Sequence, residues 1–460
     1  MATLLLDAPT NGVGVASPPA PRVPPRWVRW GTLALIVVVA VAIRYQFIDF
    51  ETMDYRAFLG RWYQQIADAG GFPAFKERFA DYNYPYLYLL AILTYLHIPA
   101  LVGVKLISVI FELILAVFAY RIVALRTERF GLRALAFGLV LLLPSVIANG
   151  SIWGQADAVY SACVVGGIYF LMRAQARDDW RSNSWWACVF FGLALSFKLQ
   201  AIFVVPVLAF VLLRRKLPWY TLFAIPAVYL LLDAPALIVG APWRTVLSVY
   251  LDQTDSYKQL TLGAANLYQL IPISGDATWL AHAGIACAAA IIAVFLGWSV
   301  WKRPPVTATT ILLVSTASAV IVPFVLPAMH DRYFYLAEIL TVLLAFYLPL
   351  RYVIVPILVQ ASAIGVYHSS LSGDQSMGRF GGGPGQRGGP GGHSFADRQG
   401  GGHAPSGGHG PGGGHGQGGY TSGRGDTGLT VYSSMMALAV LNLIYAVITV
   451  FRRLARSESH

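Results

Sequence analysis

The chain has 460 residues, of which 56% are hydrophobic and 12% are charged. Soluble domains carry charge on about a quarter of their residues, so this composition excludes an ordinary soluble protein. The formal net charge is +11, but the arginines and lysines cluster between apolar segments. That arrangement is typical of membrane topology, in which basic residues face the cytoplasm, and it argues against a nucleic-acid partner.

Twelve apolar segments are candidates for membrane-spanning helices, although several are shorter than the roughly 20 residues that a span needs. They lie near residues 30–47, 102–124, 134–149, 156–173, 184–198, 199–213, 219–239, 280–300, 306–326, 333–349, 352–369 and 430–450. With twelve spans and both termini in the cytoplasm, every basic cluster falls on the inner side. The sequence therefore predicts an all-α fold, a polytopic membrane helical bundle of about 12 spans.

These segments divide the chain into four regions. Residues 1–29 have no early basic region leading into an apolar core, so we expect a disordered cytoplasmic arm instead of a cleaved signal. The membrane core follows at residues 30–369 and includes a first outer loop at residues 48–101. A low-complexity tract occupies residues 370–428, and residues 429–460 hold the last span and a basic cytoplasmic tail.

The low-complexity tract contains 25 of the 45 glycines and four histidines. Such a composition cannot bury enough apolar surface to offset its ordering entropy, so we expect a disordered loop on the outer face. Histidine-rich tracts can bind metals, but these histidines are irregularly spaced among glycines. No metal and no other cofactor is predicted.

The first outer loop carries two acid–tyrosine pairs, Asp54-Tyr55 and Asp81-Tyr82, at the two ends of an amphipathic segment. Apolar residues recur at four-residue spacing after Asp54, which predicts a helix lying in the membrane interface. Asp54 would then lie at the mouth of a cavity and take a proton from an acceptor hydroxyl; a solvated loop acid or a helix N-cap is the alternative. Tyr84–His97 is interpreted as an interfacial or re-entrant helix, because another span there would move most basic clusters outside.

Two further polar clusters follow on the same predicted face. In the first, Trp153 offers an indole to stack on a sugar ring, and Gln155 and Asp157 can hydrogen-bond sugar hydroxyls; an ordinary connecting turn is the alternative. The next is Lys198, at the outer end of the fifth segment. An ionisable residue at membrane depth indicates function by default, although a snorkelling lysine needs no ligand. The adjacent Gln200 favours a polar cavity.

The fourth cluster is the turn Pro327–Tyr333, in which His330 and Arg332 can bind a phosphate. A capping turn with an internal Asp331–Arg332 pair is the alternative. An acid, sugar-binding polar groups and a phosphate clamp on one face are what glycosyl transfer from a lipid phosphate requires. Because the leaving group is already an oxyanion, charge stabilisation can replace a general acid, and one carboxylate base suffices.

At these residues the chain resembles GT-C-fold membrane glycosyltransferases, and more closely the bacterial relatives of the second GPI-anchor mannosyltransferase. The matching motifs are Asp54-Tyr55, Asp81-Tyr82-Asn83-Tyr84-Pro85-Tyr86-Leu87-Tyr88, Trp153-Gly154-Gln155-Ala156-Asp157, Phe197-Lys198-Leu199-Gln200-Ala201 and Met329-His330-Asp331-Arg332-Tyr333. Two motifs depart from the usual pattern. Relatives often have Tyr-Pro-Pro where this chain has Tyr84-Pro85-Tyr86, and Lys-Pro-Gln where it has Lys198-Leu199-Gln200.

The resemblance implies a polyprenyl-phosphate sugar donor, an acceptor that is a lipid, glycan or protein, and inverting transfer with Asp54 as the catalytic base. It also implies a location in the bacterial inner membrane with the active site on the extracytoplasmic side. His330 and Arg332 would face the donor phosphate, with Lys198 as a weaker candidate. The predicted substrate-binding residues are Tyr55, Asp81, Tyr84, Trp153, Gln155, Asp157, Lys198, Gln200, His330 and Arg332.

Two other functions compete with this interpretation. A secondary transporter would use the intramembrane charges for coupling, but it predicts internal repeats and broken helices near the middle of the membrane. A polymerase or ligase of lipid-linked glycans would perform the same chemistry with another donor.

Overall fold

The computed structural model describes residues 24–255, 257–372 and 419–457. Most of the predicted N-terminal arm and the greater part of the glycine- and histidine-rich tract lie outside these residues. The predictions for those two regions therefore stay predictions.

Helices make up almost all of the regular structure in the described residues. The α-helices are α1 (Arg26–Tyr45), α2 (Gly60–Asp68), α3 (Tyr84–Tyr95), α4 (Ala100–Ala124), α5 (Phe130–Leu142), α6 (Pro144–Ile147), α7 (Asp157–Arg177), α8 (Trp180–Phe197), α9 (Val205–Leu213), α10 (Ala224–Val239), α11 (Trp243–Asp255), α12 (Thr278–Lys302), α13 (Ala308–Val325), α14 (Tyr335–Ala345), α15 (Ile354–Leu371) and α16 (Thr427–Ser457). Two π-helical turns are Tyr55–Leu59 and Ala148–Trp153, and 3-10 turns are Phe72–Lys76, Leu199–Val204, Trp219–Phe223, Leu267–Gln269 and Leu350–Val353. Two short strands, β1 (Thr261–Leu262) and β2 (Met329–His330), pair in parallel.

Seven helical segments of the described residues are long and apolar enough to cross a membrane. They are Arg26–Tyr45, Ala100–Ala124, Trp219–Val239, Thr278–Lys302, Ala308–Val325, Leu350–Leu371 and Thr427–Arg456. Phe130–Leu142 and Pro144–Trp153 make an eighth if this pair, bent by 41°, is one span. The bend falls at Pro144, whose ring lacks the backbone N–H that a continuous helix needs. These helices confirm the prediction of an all-α polytopic membrane protein.

The other four predicted spans coincide with helices that are shorter or more polar. They are α7, α8, the segment Leu199–Leu213 and α14. Most residues of α7 are buried, so protein and not lipid surrounds that helix. All twelve predicted segments are thus helical, whereas the number that cross the membrane stays a prediction.

The central helix of the bundle is α7, which packs against α4, α8 and α13. Gly167 allows α8 to approach closely, because a Cβ at that position would lie 2.8 Å from the ring of Phe191. Phe191 is fully buried, and burying a side chain of this size contributes about 1.5–3 kcal/mol. This contact fixes α7 and α8 against each other. As a result, Asp157 at the start of α7 and Lys198 after the end of α8 meet at one end of the bundle.

The first helix is fixed to its neighbours by a buried arginine. Arg44 Nε lies 2.7 Å from Oε2 of Glu112 on α4, and both side chains are almost fully buried. Arg44 also donates through Nη2 to the carbonyl of Leu141 on α5, at 2.8 Å. Breaking a buried ion pair is costly, because the remaining charge has no compensation. The end of α1, from which the first outer loop starts, therefore has a defined position.

The first outer loop folds into short helices that build a second hydrophobic cluster. Trp62 and Ile66 of α2 are buried in it, and the Trp62 ring lies 5.1 Å from the ring of Tyr82. The apolar face that predicted an interfacial helix therefore packs on the protein itself. The following helix, α3, has twelve residues and is about 18 Å long at a rise of 1.5 Å per residue. It is too short to cross the hydrocarbon layer of about 30 Å.

Candidate active site

The carboxylate of Asp54 accepts hydrogen bonds from three residues that are distant in sequence. The donors are Trp153 Nε1 at 3.0 Å, Gln155 Nε2 at 2.9 Å and Arg332 Nη1 at 3.2 Å. All three reach the same oxygen, Oδ2. Within the described part of the chain, no donor reaches Oδ1. The side chain is 31% exposed, so one oxygen is held in place and the other can meet a substrate.

The backbone on either side of Asp54 explains how its carboxylate is positioned. The π-helical turn Tyr55–Leu59 begins directly after Asp54, and such turns often occur at functional sites. Two residues before Asp54, Thr52 Oγ1 donates to the carbonyl of Trp153 at 3.0 Å. The backbone that carries the acid is therefore bound to the backbone that carries two of its partners.

A buried lysine binds the backbone of the turn that precedes Asp54. Lys105 of α4 is 3% exposed, and its ammonium donates to the backbone carbonyls of Phe47, Ile48 and Phe50 at 2.5, 3.2 and 2.6 Å. These carbonyls lie in the turn between α1 and Asp54. Lys105 therefore fixes the path by which the chain enters the site.

A glycine in the left-handed region aims the other two donors at Asp54. The π-helical turn Ala148–Trp153 ends at Gly154, whose φ is 76°. Residues with a Cβ rarely adopt this conformation. The chain reverses there, so that Trp153 before the turn and Gln155 after it both reach the carboxylate.

A second carboxylate, Asp157, lies behind the first and is 1% exposed. Lys198 Nζ forms an ion pair with its Oδ1, and Asn149 Nδ2 donates to its Oδ2 at 3.0 Å. Arg332 Nε lies 3.9 Å from the same Oδ2. Arg332 therefore lies between two carboxylates, those of Asp54 and Asp157.

Arg332 stays cationic in this setting. Burial on its own would lower the pKa of the guanidinium, but the charges of nearby groups, Asp54 first among them, raise the pKa well above its usual value. The guanidinium also lies over the Trp153 ring, 5.7 Å from its centroid, a favourable cation–π geometry. Its buried Nε has no hydrogen-bond partner in the described part of the chain and lies on the side of Asp157.

A cavity of about 480 Å³ opens beside these residues. Seven of the predicted site residues line it: Asp54, Asp81, Gln155, Lys198, Gln200, His330 and Arg332. One wall is apolar and includes Leu199, Ile202, Phe203, Ile285 and Leu326. The cavity therefore joins a charged end to an apolar side.

Four predicted site residues do not line this cavity. Trp153 is buried, meets Asp54 only through its Nε1, and packs edge-on against Tyr367 with ring centroids 5.5 Å apart. Asp157 lies beneath Arg332 and Lys198. Tyr55 is half-buried beside Asp54, and Tyr84 is buried in the loop cluster next to Phe75.

Five tyrosines that the sequence did not single out as site residues line the cavity: Tyr82, Tyr250, Tyr257, Tyr333 and Tyr420. Tyr82 lies within reach of Gln155, with its hydroxyl 3.5 Å from Oε1. Tyr333 is half-buried at the cavity, and its phenol can donate a hydrogen bond. Tyr82 and Tyr333 each belong to a motif that the sequence analysis recognised. No motif was recognised around the others: Tyr250 lies on α11, Tyr257 lies in the loop that follows, and Tyr420 lies at the end of the glycine-rich tract.

Metal ligands are not grouped in this region. Among the described residues, no three or more His, Cys, Asp or Glu side chains are arranged to hold a metal ion.

Comparison with known families adds evidence on the class of protein. A family model described as dolichyl-phosphate-mannose-protein mannosyltransferase matches residues 85–244. This stretch, about a third of the chain, includes Trp153, Gln155, Asp157 and Lys198, but not Asp54 or Arg332. No curated protein and no solved structure matches the chain. The family match supports a membrane glycosyltransferase of the GT-C type.

Proposed function

We propose that this protein transfers a hexose, in the first instance mannose, from a polyprenyl phosphate to a hydroxyl of a lipid, glycan or protein acceptor. The observation that carries the proposal is the Asp54 carboxylate at the edge of the cavity. Its Oδ2 is fixed by three donors, and its Oδ1 is open to a substrate. A fixed carboxylate with one accessible oxygen is the arrangement that a general base requires.

The transfer proceeds in one displacement. The acceptor oxygen attacks the anomeric carbon, its proton passes to Oδ1 of Asp54, and the bond from the anomeric carbon to the phosphate oxygen breaks. A double displacement would need a second carboxylate as nucleophile. Asp157, which shares Arg332 with Asp54, is buried and engaged by Lys198 and Asn149. A single displacement inverts the configuration at the anomeric carbon.

The donor phosphate binds next to Arg332, with His330 on the same side of the cavity. The guanidinium lies in a partly buried site, where its charge stabilises the departing phosphate more than it would in water. Arg332 contacts the base as well, so it aligns the phosphate end of the donor with the oxygen that receives the proton.

The rest of the cavity fits the other parts of the substrates. Gln155, Gln200 and Asp81 offer hydrogen-bonding groups to sugar hydroxyls. The apolar wall defined by Leu199, Ile202, Phe203, Ile285 and Leu326 accommodates the first isoprene units of the donor. The position of the basic clusters supports an active cavity on the extracytoplasmic side of a bacterial inner membrane. The closer likeness to relatives of the second GPI-anchor mannosyltransferase favours mannose over glucose.

A transfer assay with defined donors tests the proposal. Purified protein in vesicles is supplied with polyprenyl-phosphate mannose, polyprenyl-phosphate glucose or a nucleotide-linked mannose, each radiolabelled, and label in lipid and protein is measured. We expect transfer from a polyprenyl phosphate, with mannose preferred. Transfer from the nucleotide sugar alone would contradict a lipid-phosphate donor. Asp54→Asn should lose the transfer. Asp68→Asn is its matched control, because Asp68 is exposed at the end of α2 and does not line the cavity.

A further inference from the structure

A second, smaller cavity lies at the other end of the helices that line the active cavity. It measures about 250 Å³ and is lined by Leu213, Arg214, Arg215, Val300 and Arg303. Three of these five residues are arginines and none is acidic. Neither Arg215 nor Arg303 forms an ion pair with any residue that the structure describes. The described lining of the cavity therefore carries three positive charges and no negative one.

The fold builds this cavity from the ends of two packed helices. Helices α9 and α12 pack through Phe210 and Phe295, whose ring centroids are 5.8 Å apart. Arg214 connects their ends, donating from Nε to the carbonyl of Pro304 at 2.8 Å and from Nη2 to that of Arg303 at 2.9 Å. The pocket is thus held together by a side chain that bridges both of its walls.

The backbone at two of the arginines is strained. Arg215, just beyond the end of α9, has a φ of 55°, and Arg303, which caps the end of α12, has a φ of 48°. Glycine is the residue that usually occupies this left-handed position after a helix, because a Cβ makes it unfavourable. Strain that persists in two residues of one pocket points to a function for their side chains.

The distance along α12 between the active cavity and the arginine pocket indicates the environment of the pocket. Ile285, near the start of α12, lines the active cavity, and Arg303 follows the last residue of the helix. The helix between them is about 27 Å long at 1.5 Å per residue, close to the roughly 30 Å of the bilayer hydrocarbon. If the active cavity opens near one membrane surface, the pocket lies at the level of the opposite headgroups.

Exposed tryptophans close to the pocket also indicate the level of the lipid headgroups. Trp301, two residues before Arg303, is 74% exposed, and Trp219, four residues after Arg215, is 65% exposed. The ammonium of Lys302 lies 3.9 Å from the centre of the Trp301 ring. Tryptophan is enriched where a protein meets the lipid headgroups, so these side chains indicate a headgroup environment and not open water.

We propose that Arg214, Arg215 and Arg303 form a binding site for the phosphate of an anionic phospholipid. The arginine N–H groups match phosphate oxygens, while Leu213 and Val300 contact the glycerol and the first methylenes. The site belongs to the leaflet opposite the active cavity and does not depend on the proposed transfer reaction. Its ligand is structural or regulatory, since it lies too far away to take part in the chemistry.

The strained backbone allows a variant that removes the site without weakening the fold. Arg215→Gly with Arg303→Gly deletes two phosphate ligands and relieves two left-handed residues, so the protein in neutral lipid should unfold at the same or a higher temperature. Asp178→Gly is the control for relieved strain, because Asp178 also has a positive φ, 49°, and lies outside the pocket. Lys216→Gln is the control for lost charge beside the pocket.

The experiment measures lipid retention by native mass spectrometry and thermal unfolding in micelles containing phosphatidylglycerol or phosphatidylcholine. We expect the wild type and both controls to prefer phosphatidylglycerol, and the double variant to lose that preference by about fivefold per arginine. An equal preference in the double variant, or none in the wild type, would overturn the proposal. A third arm adds inorganic phosphate: if it displaces phosphatidylglycerol readily, the site binds a soluble anion and the lipid assignment is wrong.

Discussion

Arg332 Nη1 lies 3.2 Å from Oδ2 of Asp54, although 278 residues separate the two in the chain. The contact joins the first outer loop to the turn that follows α13. On its other side, Arg332 Nε lies 3.9 Å from Oδ2 of the buried Asp157. One arginine thus connects the proposed base to the ion pair of Asp157 and Lys198.

Arg332 should set the affinity for the donor. Arg332→Gln removes the charge that faces the phosphate and should raise KM for the donor by about ten- to a hundredfold, the usual effect of losing a charged hydrogen bond. Arg332→Lys should restore only part of this affinity, since an ammonium cannot contact both carboxylates as the planar guanidinium does. Steady-state kinetics with varied donor would test this, and an unchanged KM in Arg332→Gln would contradict the assigned position of the phosphate.

Lys198 should matter for stability because it neutralises Asp157. Lys198→Met leaves a carboxylate that is 1% exposed with Arg332 Nε, 3.9 Å away, as its remaining cation, so the loss should reach at most the roughly 3–5 kcal/mol of a fully uncompensated buried charge. Adding Asp157→Asn to Lys198→Met should recover most of that loss, because the buried charge is then gone. Thermal unfolding of both variants in detergent measures the effect. If the double variant is no more stable than Lys198→Met, the pair does not act as a compensated unit.

Lys105 should affect the rate without affecting donor binding. Lys105→Met releases three carbonyls of the turn that leads to Asp54, so the base loses its defined position. A displacement of about 1 Å can lower a rate by roughly 10²-fold, and we expect kcat to fall on that order with little change in KM. The exposed Lys302, changed to Met, is the control. A larger effect on KM than on kcat would show that the lysine acts on binding instead.

The glycine- and histidine-rich tract should be dispensable for transfer. Replacing residues 381–418 by a Gly/Ser linker of equal length should leave activity nearly unchanged, because the flanking contacts remain. On one flank Ser370 Oγ donates to Asp331 at 2.7 Å, and on the other the Ala277 N–H donates to the Tyr420 carbonyl at 2.7 Å. Tyr420→Ala, by contrast, should lower activity, since this ring lines the cavity. A large loss in the linker variant would show that the tract takes part in the reaction.

The helices could be predicted from sequence for physical reasons, and so could the grouping of several polar clusters, whose residues line one cavity. In lipid, an apolar run of about 20 residues satisfies its backbone hydrogen bonds by forming a helix. The positions of the arginines then predict which end of each helix faces the cytoplasm. Asp54 was singled out because a carboxylate beside an apolar helical face needs an explanation. The family match agrees with the glycosyltransferase prediction only at the level of the GT-C class.

The partners within the site could not be predicted, because they depend on packing. No local sequence pattern indicates that Asp157 faces Lys198 across two helices. Nor does any pattern indicate that Trp153 donates its N–H to Asp54 instead of stacking its ring on a sugar. Lys105 was missed for a different reason. It lies within a predicted span, so the rule that drew attention to Lys198 would also have identified it.

The most direct test of the account is the rate of sugar transfer by Asp54→Asn beside Asp68→Asn and the wild type, together with donor binding by each. Asparagine keeps the shape of the side chain but cannot accept the proton. The rate should therefore fall by a factor of about 10² to 10⁴, while the unfolding temperature and donor affinity stay close to those of the wild type. A rate in Asp54→Asn equal to that of Asp68→Asn would show that Asp54 is not the base.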